Sequence, residues 1–291
     1  MTGLKLGLGI VSVPAEHLVE VCQAAERLGF ESVWSGEHVA VPVRPDWFEG
    51  AEEQKHLAGG RTRAKMPFTA HTPFLDPMVA LAAVAATTTR IRLGVGIYML
   101  ALRHAVLAGR TIASLDRLSN GRLDLGVGLG WVSSEYAATG TDWASRGRRT
   151  DETIRCLRVL FEEHEPSFSG EFAEFEPIGF DPKPVQSPLP IHIGGDGPRA
   201  VRRAAELGNG WIGGAHLFGP AREALKANGR EHEPFEFTAL TGKATPEQLD
   251  GFADAGADRV VVQPWPRDME DPVDVPERYA STIGLQAHAG G

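Results

Sequence analysis

The sequence is poor in cysteine, since Cys22 and Cys156 are the only two in 291 residues. Each falls on the apolar face of a separate predicted helix, so we expect two small buried side chains rather than a disulfide or a nucleophile. Histidine and cysteine also lack the spacing of a metal site, and we predict no metal. The chain enters an apparent strand without a basic segment and cleavage site, and we expect it to be cytoplasmic.

Basic charge is scarce as well. Lysine and arginine total 29 against 38 aspartates and glutamates, which gives a net charge of -9. Nucleic acids and anionic membranes attract basic surfaces, so we expect neither as a partner. No apolar run approaches the roughly 20 residues of a membrane span. The apolar fraction of 42% and the charged fraction of 23% are ordinary for a globular protein.

Apolar strands and amphipathic helices alternate along the whole chain. We predict strands at 4–10, 32–34, 91–97, 123–127, 190–193, 210–212, 235–240 and 259–263, separated by helices. This alternation predicts a parallel sheet covered by helices. Eight such units favour a closed (β/α)8 TIM barrel, with an open doubly wound sheet as the alternative. No linker divides the chain, so we expect residues 1–291 to form one domain.

Two segments interrupt this rhythm. A long polar connection, 37–73, follows strand two, and a segment at 167–188, which precedes strand five, has the pattern of a small hairpin with a proline-rich return. Long loops in compact domains are commonly functional, and the first one begins at the face where a barrel carries its active site. We therefore expect these two insertions to contact the substrate.

Reactive side chains of a barrel belong on the loops that follow the strands. Strand two ends in Glu37-His38. Histidine titrates near neutral pH, so His38 is a candidate general acid or base. The alternative is a structural histidine satisfied by a carboxylate.

Glycines follow several strands. The turn Gly194-Gly195-Asp196-Gly197 precedes a helix, where backbone N–H groups and the helix dipole favour an anion; this predicts a phosphate cradle, or else only a tight turn. Glycines 94, 96, 126, 128 and 130 remove side chains where a flat ring would lie against backbone. Tyr98 and Trp131 either line such a slot or belong to the packing.

The chain resembles the bacterial luciferase-like monooxygenase superfamily, in particular its actinobacterial deazaflavin-dependent (coenzyme F420) oxidoreductases. The resemblance covers nearly the whole chain. It is carried by the order and spacing of residues 29–38, 90–97, 115–122, 125–131, 147–152, 193–199 and 208–211.

The resemblance implies a barrel that holds coenzyme F420, or alternatively FMN, in its mouth. It implies a non-prolyl cis peptide at Gly96-Ile97 behind the cofactor ring, and a phosphate near Gly194 to Gly197. It places His38, paired with Glu37, beside the ring as acid or base. The implied cofactor-binding residues are Gly96, Ile97, Gly128, Gly130, Ser134, Gly194, Gly195, Asp196 and Gly197.

The activity that the resemblance implies is hydride transfer between the deazaflavin and a small organic substrate. The enzyme alternative is an FMN-dependent monooxygenase that uses O2 and reduced flavin from a separate reductase. A non-catalytic flavin-binding protein and an unrelated phosphate-binding barrel are further alternatives. Relatives that dehydrogenate sugar phosphates carry a glutamate where this chain has Trp131, which argues against that substrate. Relatives are usually dimers, so we expect a homodimer.

Overall fold

A computed structural model describes residues 3–43, 68–265 and 271–285. Its strands are β1 (Lys5–Gly9), β2 (Ser32–Ser35), β3 (Arg92–Tyr98), β4 (Leu123–Val127), β5 (Phe168–Ser169), β6 (Glu174–Phe175), β7 (Ile191–Gly194), β8 (Gly210–Gly213), β9 (Glu236–Leu240) and β10 (Arg259–Val262). All except β5 and β6 are parallel and close a barrel in the order β1-β10-β9-β8-β7-β4-β3-β2. The predicted TIM barrel is confirmed, and the open sheet was the wrong alternative.

Helices surround this barrel. They are α1 (Leu18–Leu28), α2 (Pro77–Thr87), α3 (Ala105–Leu118), α4 (Ser133–Ala138), α5 (Arg146–Glu162), α6 (Pro198–Leu207), α7 (Phe218–Ala227), α8 (Pro246–Asp254) and α9 (Val275–Ile283). Asp76 caps α2 by accepting the N–H groups of Met78 and Val79, at 2.9 and 3.1 Å. The short helix α4 has no counterpart in the sequence prediction, because its six residues are too few to show the apolar periodicity of a helix.

The hairpin predicted within 167–188 is present. Phe168 of β5 pairs with Phe175 of β6 in an antiparallel ladder. Glu152 of α5 fixes the hairpin turn, because its carboxylate accepts the backbone N–H groups of residues 171, 172 and 173 at 2.7 to 2.9 Å. Of the other insertion, 37–73, residues 44–67 lie outside the described part of the chain.

Both cysteines are free and buried, as expected from their place on apolar helix faces. Burial raises the pKa of the Cys22 thiol to about 12, which makes it unreactive. Within residues 3–43, 68–265 and 271–285, no helix has the length and apolar character needed to span a bilayer. The same residues contain no group of three or more histidines, cysteines or carboxylates arranged to hold a metal ion.

Charged side chains fill the end of the barrel where the strands begin. Arg92 donates to Asp124 through Nε and Nη2 at 2.8 and 2.6 Å. Arg259, which is 1% exposed, donates to Glu31 through Nε and Nη2, both at 2.8 Å, and also binds Glu236. Burial by itself would raise the pKa of Asp124, but the hydrogen bonds from Arg92 and the charge of Arg259 hold it well below its usual range.

The indole of Trp34 fills the barrel above these charges. Its Nε1 donates to Ser32 Oγ at 2.8 Å, and the Arg259 guanidinium carbon lies 5.3 Å from the ring centre. A Cβ atom on Gly7 would lie 3.0 Å from Trp34 Cδ1, and one on Gly94 would overlap the indole. Gly94 therefore makes room for this protein's own tryptophan, which corrects the expectation that it keeps space for an external ring.

The buried ion pairs predict a pH-dependent stability. Asp124→Asn should lower the free energy of unfolding by about 3–5 kcal/mol at pH 7, because it removes the carboxylate that pairs with Arg92 and one of the three that pair with Arg259 among the described residues. The folded-state pKa of Asp124 is depressed, so its contribution is present above the unfolded pKa of about 3.9 and is lost as the pH falls below it. In urea denaturation the gap between the two proteins should therefore narrow below about pH 4. Exposed Asp254→Asn is the control, and an equal loss there would refute the assignment.

Packing around Trp34 gives a second prediction. Gly94→Ala should lower the free energy of unfolding by about 3 kcal/mol, because the new methyl group overlaps an indole that is 2% exposed. Gly242→Ala is the matched control, since no atom lies within 4 Å of the added carbon. Equal stability of the two variants in urea denaturation would show that Trp34 does not occupy this position.

Candidate active site

The loops that follow the parallel strands meet at one mouth of the barrel. A Cβ atom on Gly36, after β2, would lie 3.5 Å from the carbonyl oxygen of Gly96 on β3. Cβ atoms on Gly128, after β4, and on Gly194, at the end of β7, would lie 2.8 and 2.7 Å from the side chain of Ile97. The structure thus brings together four of the predicted cofactor-binding residues, from three different strands.

Apolar side chains form the floor of this mouth. Ile97 packs on a buried cluster of Trp34, Ile212 and Val261, which are each no more than 2% exposed. The peptide bond between Gly96 and Ile97 is cis, as the resemblance implied. Side chains at positions 128 and 194 would collide with Ile97, so the two glycines make room for this half-buried side chain. The result is an apolar floor that ends in Ile97.

Glu37 points away from His38. Its carboxylate accepts the Met99 N–H at 2.8 Å and binds both terminal nitrogens of Arg103, with Oε2 at 3.1 Å from Nη1. Burial raises the pKa of Glu37, while the charge of Arg103 opposes that rise. Arg103 in turn lies over the ring of Tyr98, 4.1 Å from its centre, so this tyrosine belongs to the packing. Glu37 ties the β2 loop to the β3 loop.

The carboxylate partner of His38 is Glu135 of α4. His38 Nδ1 lies 3.2 Å from Glu135 Oε2. The other carboxylate oxygen, Oε1, accepts the N–H groups of Val39 and Ala40 at 2.5 and 3.3 Å. Glu135 is completely buried, whereas 13% of the His38 side chain is exposed. The histidine therefore has a buried carboxylate behind it and one edge accessible.

Aromatic rings enclose His38. The ring centres of Phe68, Phe74 and Trp131 lie 4.4, 4.9 and 5.8 Å from its imidazole, and Phe68 also contacts the other two. Trp131 thus lies beside the candidate proton-transfer group, while Tyr98 does not. Among the described residues, three aromatic rings contact the imidazole and Glu135 is its hydrogen-bond partner, so a hydrogen bond to its accessible edge would be poorly screened by water.

The turn between β7 and α6 has the geometry of an anion site. Gly195 adopts φ +152, and a Cβ atom there would lie 2.6 Å from that of Ala200. Gly197 is the N-cap of the ten-residue α6 and provides no side-chain cap; since Pro198 has no N–H and those of Ala200 and Val201 donate to the Gly197 carbonyl at 3.0 and 3.1 Å, the first N–H of the helix is that of Arg199. Gly195 and Asp196 are exposed. The backbone of this turn is therefore open to a ligand, and the helix dipole favours a negative one.

Two further predicted positions follow β4. Gly130 has φ +66, and any side chain there would overlap the sulfur of Met99. The hydroxyl of Ser134 is buried and has no hydrogen-bond partner in the described structure. Such an unsatisfied hydroxyl is costly without a ligand or water, so its position fits a cofactor contact.

Sequence analysis missed Glu135, Arg103 and Trp34 as residues of the mouth. Glu135 follows β4 and Arg103 follows β3. Both therefore lie at the same end of the barrel as His38, which follows β2. That common location is the one signal that the sequence offers for them. Trp34 alternates with Val33 along β2, but a single alternation does not tell which side chain enters the barrel.

Comparison with known proteins shows which family this chain resembles along its length. Residues 5–245 match the model of the luciferase-like monooxygenase family. An uncharacterized protein of Mycobacterium tuberculosis is 30% identical over 89% of this chain and 91% of its own. An F420-dependent glucose-6-phosphate dehydrogenase of Amycolatopsis mediterranei is 30% identical, over 67% of this chain and 52% of its own. The oxygenase component of a flavin-dependent trigonelline monooxygenase of Acinetobacter baylyi is 31% identical, over 66% and 46%.

Solved structures share the fold. An F420-dependent secondary alcohol dehydrogenase, in complex with an F420–acetone adduct, superposes with a TM-score of 0.76 at 16% identity, over 98% of this chain and 99% of its own. At that identity the likeness supports the fold alone. The family model, which covers most of the chain, decides the membership: this protein belongs to the luciferase-like monooxygenase family.

Proposed function

We propose that this chain is an oxidoreductase that binds coenzyme F420 in the barrel mouth and serves hydride transfer between it and a small organic substrate. One observation carries the proposal: an apolar floor at Ile97 lies in the same mouth as a helix N-terminus without a side-chain cap and a histidine. A flavin-type ring with a phosphate-bearing chain requires these three features together. The F420-dependent dehydrogenase among the relatives adds support.

The residues present fit such a cofactor. The half-buried Ile97, which packs on the buried Ile212 and Val261, offers an apolar contact for a planar ring. Backbone N–H groups of the turn that ends at Gly197 are suited to the phosphate, and the unpartnered Ser134 hydroxyl adds a polar contact. When bound, the deazaflavin would accept or donate a hydride. The chain would orient ring and substrate, exclude water with its aromatic residues, and hold the accompanying proton at His38.

An FMN-dependent monooxygenase is the second candidate, since a flavin-dependent oxygenase component is among the relatives. In that case a separate reductase would supply the reduced flavin. Floor and cradle suit both cofactors, because the two share ring shape and a phosphate. A binding protein without turnover would take either cofactor but would change the redox state of no substrate in a screen, and His38→Ala would not alter that result.

Cofactor titration tests the proposal. The purified chain is titrated with coenzyme F420 and, separately, with FMN, while the fluorescence of each cofactor is followed. We expect saturable binding of F420 at least about tenfold tighter than that of FMN, a difference of about 1.4 kcal/mol. The reverse preference would favour the monooxygenase, and binding of neither would overturn the cofactor site altogether.

The phosphate cradle gives a sharper prediction. Gly197→Asp should weaken cofactor binding about tenfold or more, because a carboxylate at the N-cap competes with the phosphate for the same N–H groups. The fold should tolerate the change: Gly197 has extended φ and ψ, no atom lies within 4 Å of a Cβ atom there, and aspartate is a preferred N-cap.

Gly251→Asp, on exposed α8, is the control with the same added charge and equal space. Fluorescence titration measures both variants, and thermal melting confirms their folding. Undiminished affinity of Gly197→Asp, with melting like the wild type, would place the phosphate elsewhere.

We further propose that the chain forms a homodimer through the first turns of α2 and α3. Val79 and Leu107 lie there, at 70% and 68% exposure, on helices that pack against each other. Large exposed apolar side chains grouped on neighbouring helices are typical of an interface. A second copy of the chain is the partner that the resemblance implies.

Light scattering after size-exclusion chromatography tests the dimer. The wild-type chain should elute at twice its chain mass, and Val79→Glu with Leu107→Glu should elute as a monomer, because two carboxylates would be buried in each half of the interface. Leu118→Glu, equally exposed at the opposite end of α3, should leave the dimer intact. A monomeric wild-type chain would refute this part of the proposal.

A further inference from the structure

The strongest unassigned feature is the fully buried carboxylate of Glu135. Within the described ranges it pairs with no lysine or arginine, and its hydrogen-bond partners there are His38 Nδ1 and two backbone N–H groups. A buried carboxylate needs such donors, because its charge is otherwise very costly. Glu135 thus connects His38 to α4 and, at the same time, fixes the backbone that follows this histidine.

We propose that Glu135 is a positioning residue that keeps a hydrogen on Nδ1 of His38 and so confines proton exchange to Nε2. This inference rests on the proposed function, because it gives the role of His38 a direction. An ionised carboxylate only accepts hydrogen bonds, so the atom 3.2 Å from it must donate. Nδ1 therefore carries hydrogen in both the neutral and the protonated ring, and the proton that the ring gains or loses is the one on Nε2.

Two sets of contacts hold this arrangement in place. Tyr136, next to Glu135, donates its hydroxyl to the carbonyl of Leu129 at 2.5 Å and so attaches α4 to the β4 loop. Phe68, Phe74 and Trp131 surround the imidazole and limit its rotation. Rotation of the imidazole by half a turn would take Nδ1 away from Glu135. The buried carboxylate would then lose a hydrogen-bond donor, which costs free energy.

Nitrogen-15 NMR of the imidazole tests this proposal on the cofactor-free chain. Long-range correlations within the ring distinguish the two neutral tautomers, and comparison with His38→Asn assigns the signals. In the wild-type chain we expect the neutral ring of His38 to be predominantly the Nδ1–H form. A predominantly Nε2–H ring would overturn the proposal, without any need for a variant of Glu135.

Glu135→Gln is the matched variant. Its amide oxygen still accepts from Val39 and Ala40, but its NH2 group faces Nδ1 and requires an acceptor there, so the neutral ring should change to the Nε2–H form. The control is Glu26→Gln. Like Glu135, the Glu26 carboxylate accepts backbone N–H groups, here three at 2.6 to 2.9 Å, but among the described residues none of its partners is a histidine. The control should leave the His38 signals unchanged.

A purely structural role of Glu135 predicts a different result, namely an unchanged tautomer in Glu135→Gln, and that outcome contradicts the proposal. The measurement needs no cofactor. Failure of F420 and FMN to bind would therefore overturn the proposed function while leaving the tautomer result to be decided separately.

Discussion

The barrel depends on one packing constraint, the placement of the Trp34 indole at its centre. A ring of this size leaves no room for side chains opposite, so Gly7 and Gly94 have none. The indole separates two environments: below it lie the ion pairs of Arg259 and Asp124, and above it lies the apolar floor of Ile97. Because Ile97 packs against the rigid Trp34 ring, a planar ligand could bind over Ile97 without rearrangement of the barrel core.

Two buried glutamates arrange the mouth above that floor, and they do so in different ways. Glu37 neutralises Arg103 and joins the loops after β2 and β3. Glu135 has no such cation among the described residues and pairs with His38. The sequence places Glu37 beside His38, yet the chain at the end of β2 directs the two side chains to different partners. The histidine is consequently supported by a residue almost one hundred positions away in the sequence.

Strand and helix alternation is a local property that predicted the barrel, and the local pattern within 167–188 predicted the hairpin near Phe168. Because parallel strands share one functional end, it also predicted that the loops of His38, Gly128 and Gly194 lie together. Pairing between side chains on distant loops is not local. Apart from its place after β4, nothing in the sequence distinguishes Glu135 from other glutamates, and nothing indicates that Gly94 faces an indole and not an external ligand. That the insertions at 37–73 and 167–188 contact the substrate remains a prediction. Residues 44–67 of the first insertion lie outside the described structure.

A crystal structure of the chain with coenzyme F420 tests most directly whether the floor and the cradle form one cofactor site. We expect the deazaflavin ring to lie on Ile97, with its phosphate on the backbone of the turn between Gly194 and Gly197, and His38 Nε2 to be directed into the mouth. A phosphate bound away from that turn, or a ring bound outside the barrel mouth, would contradict it.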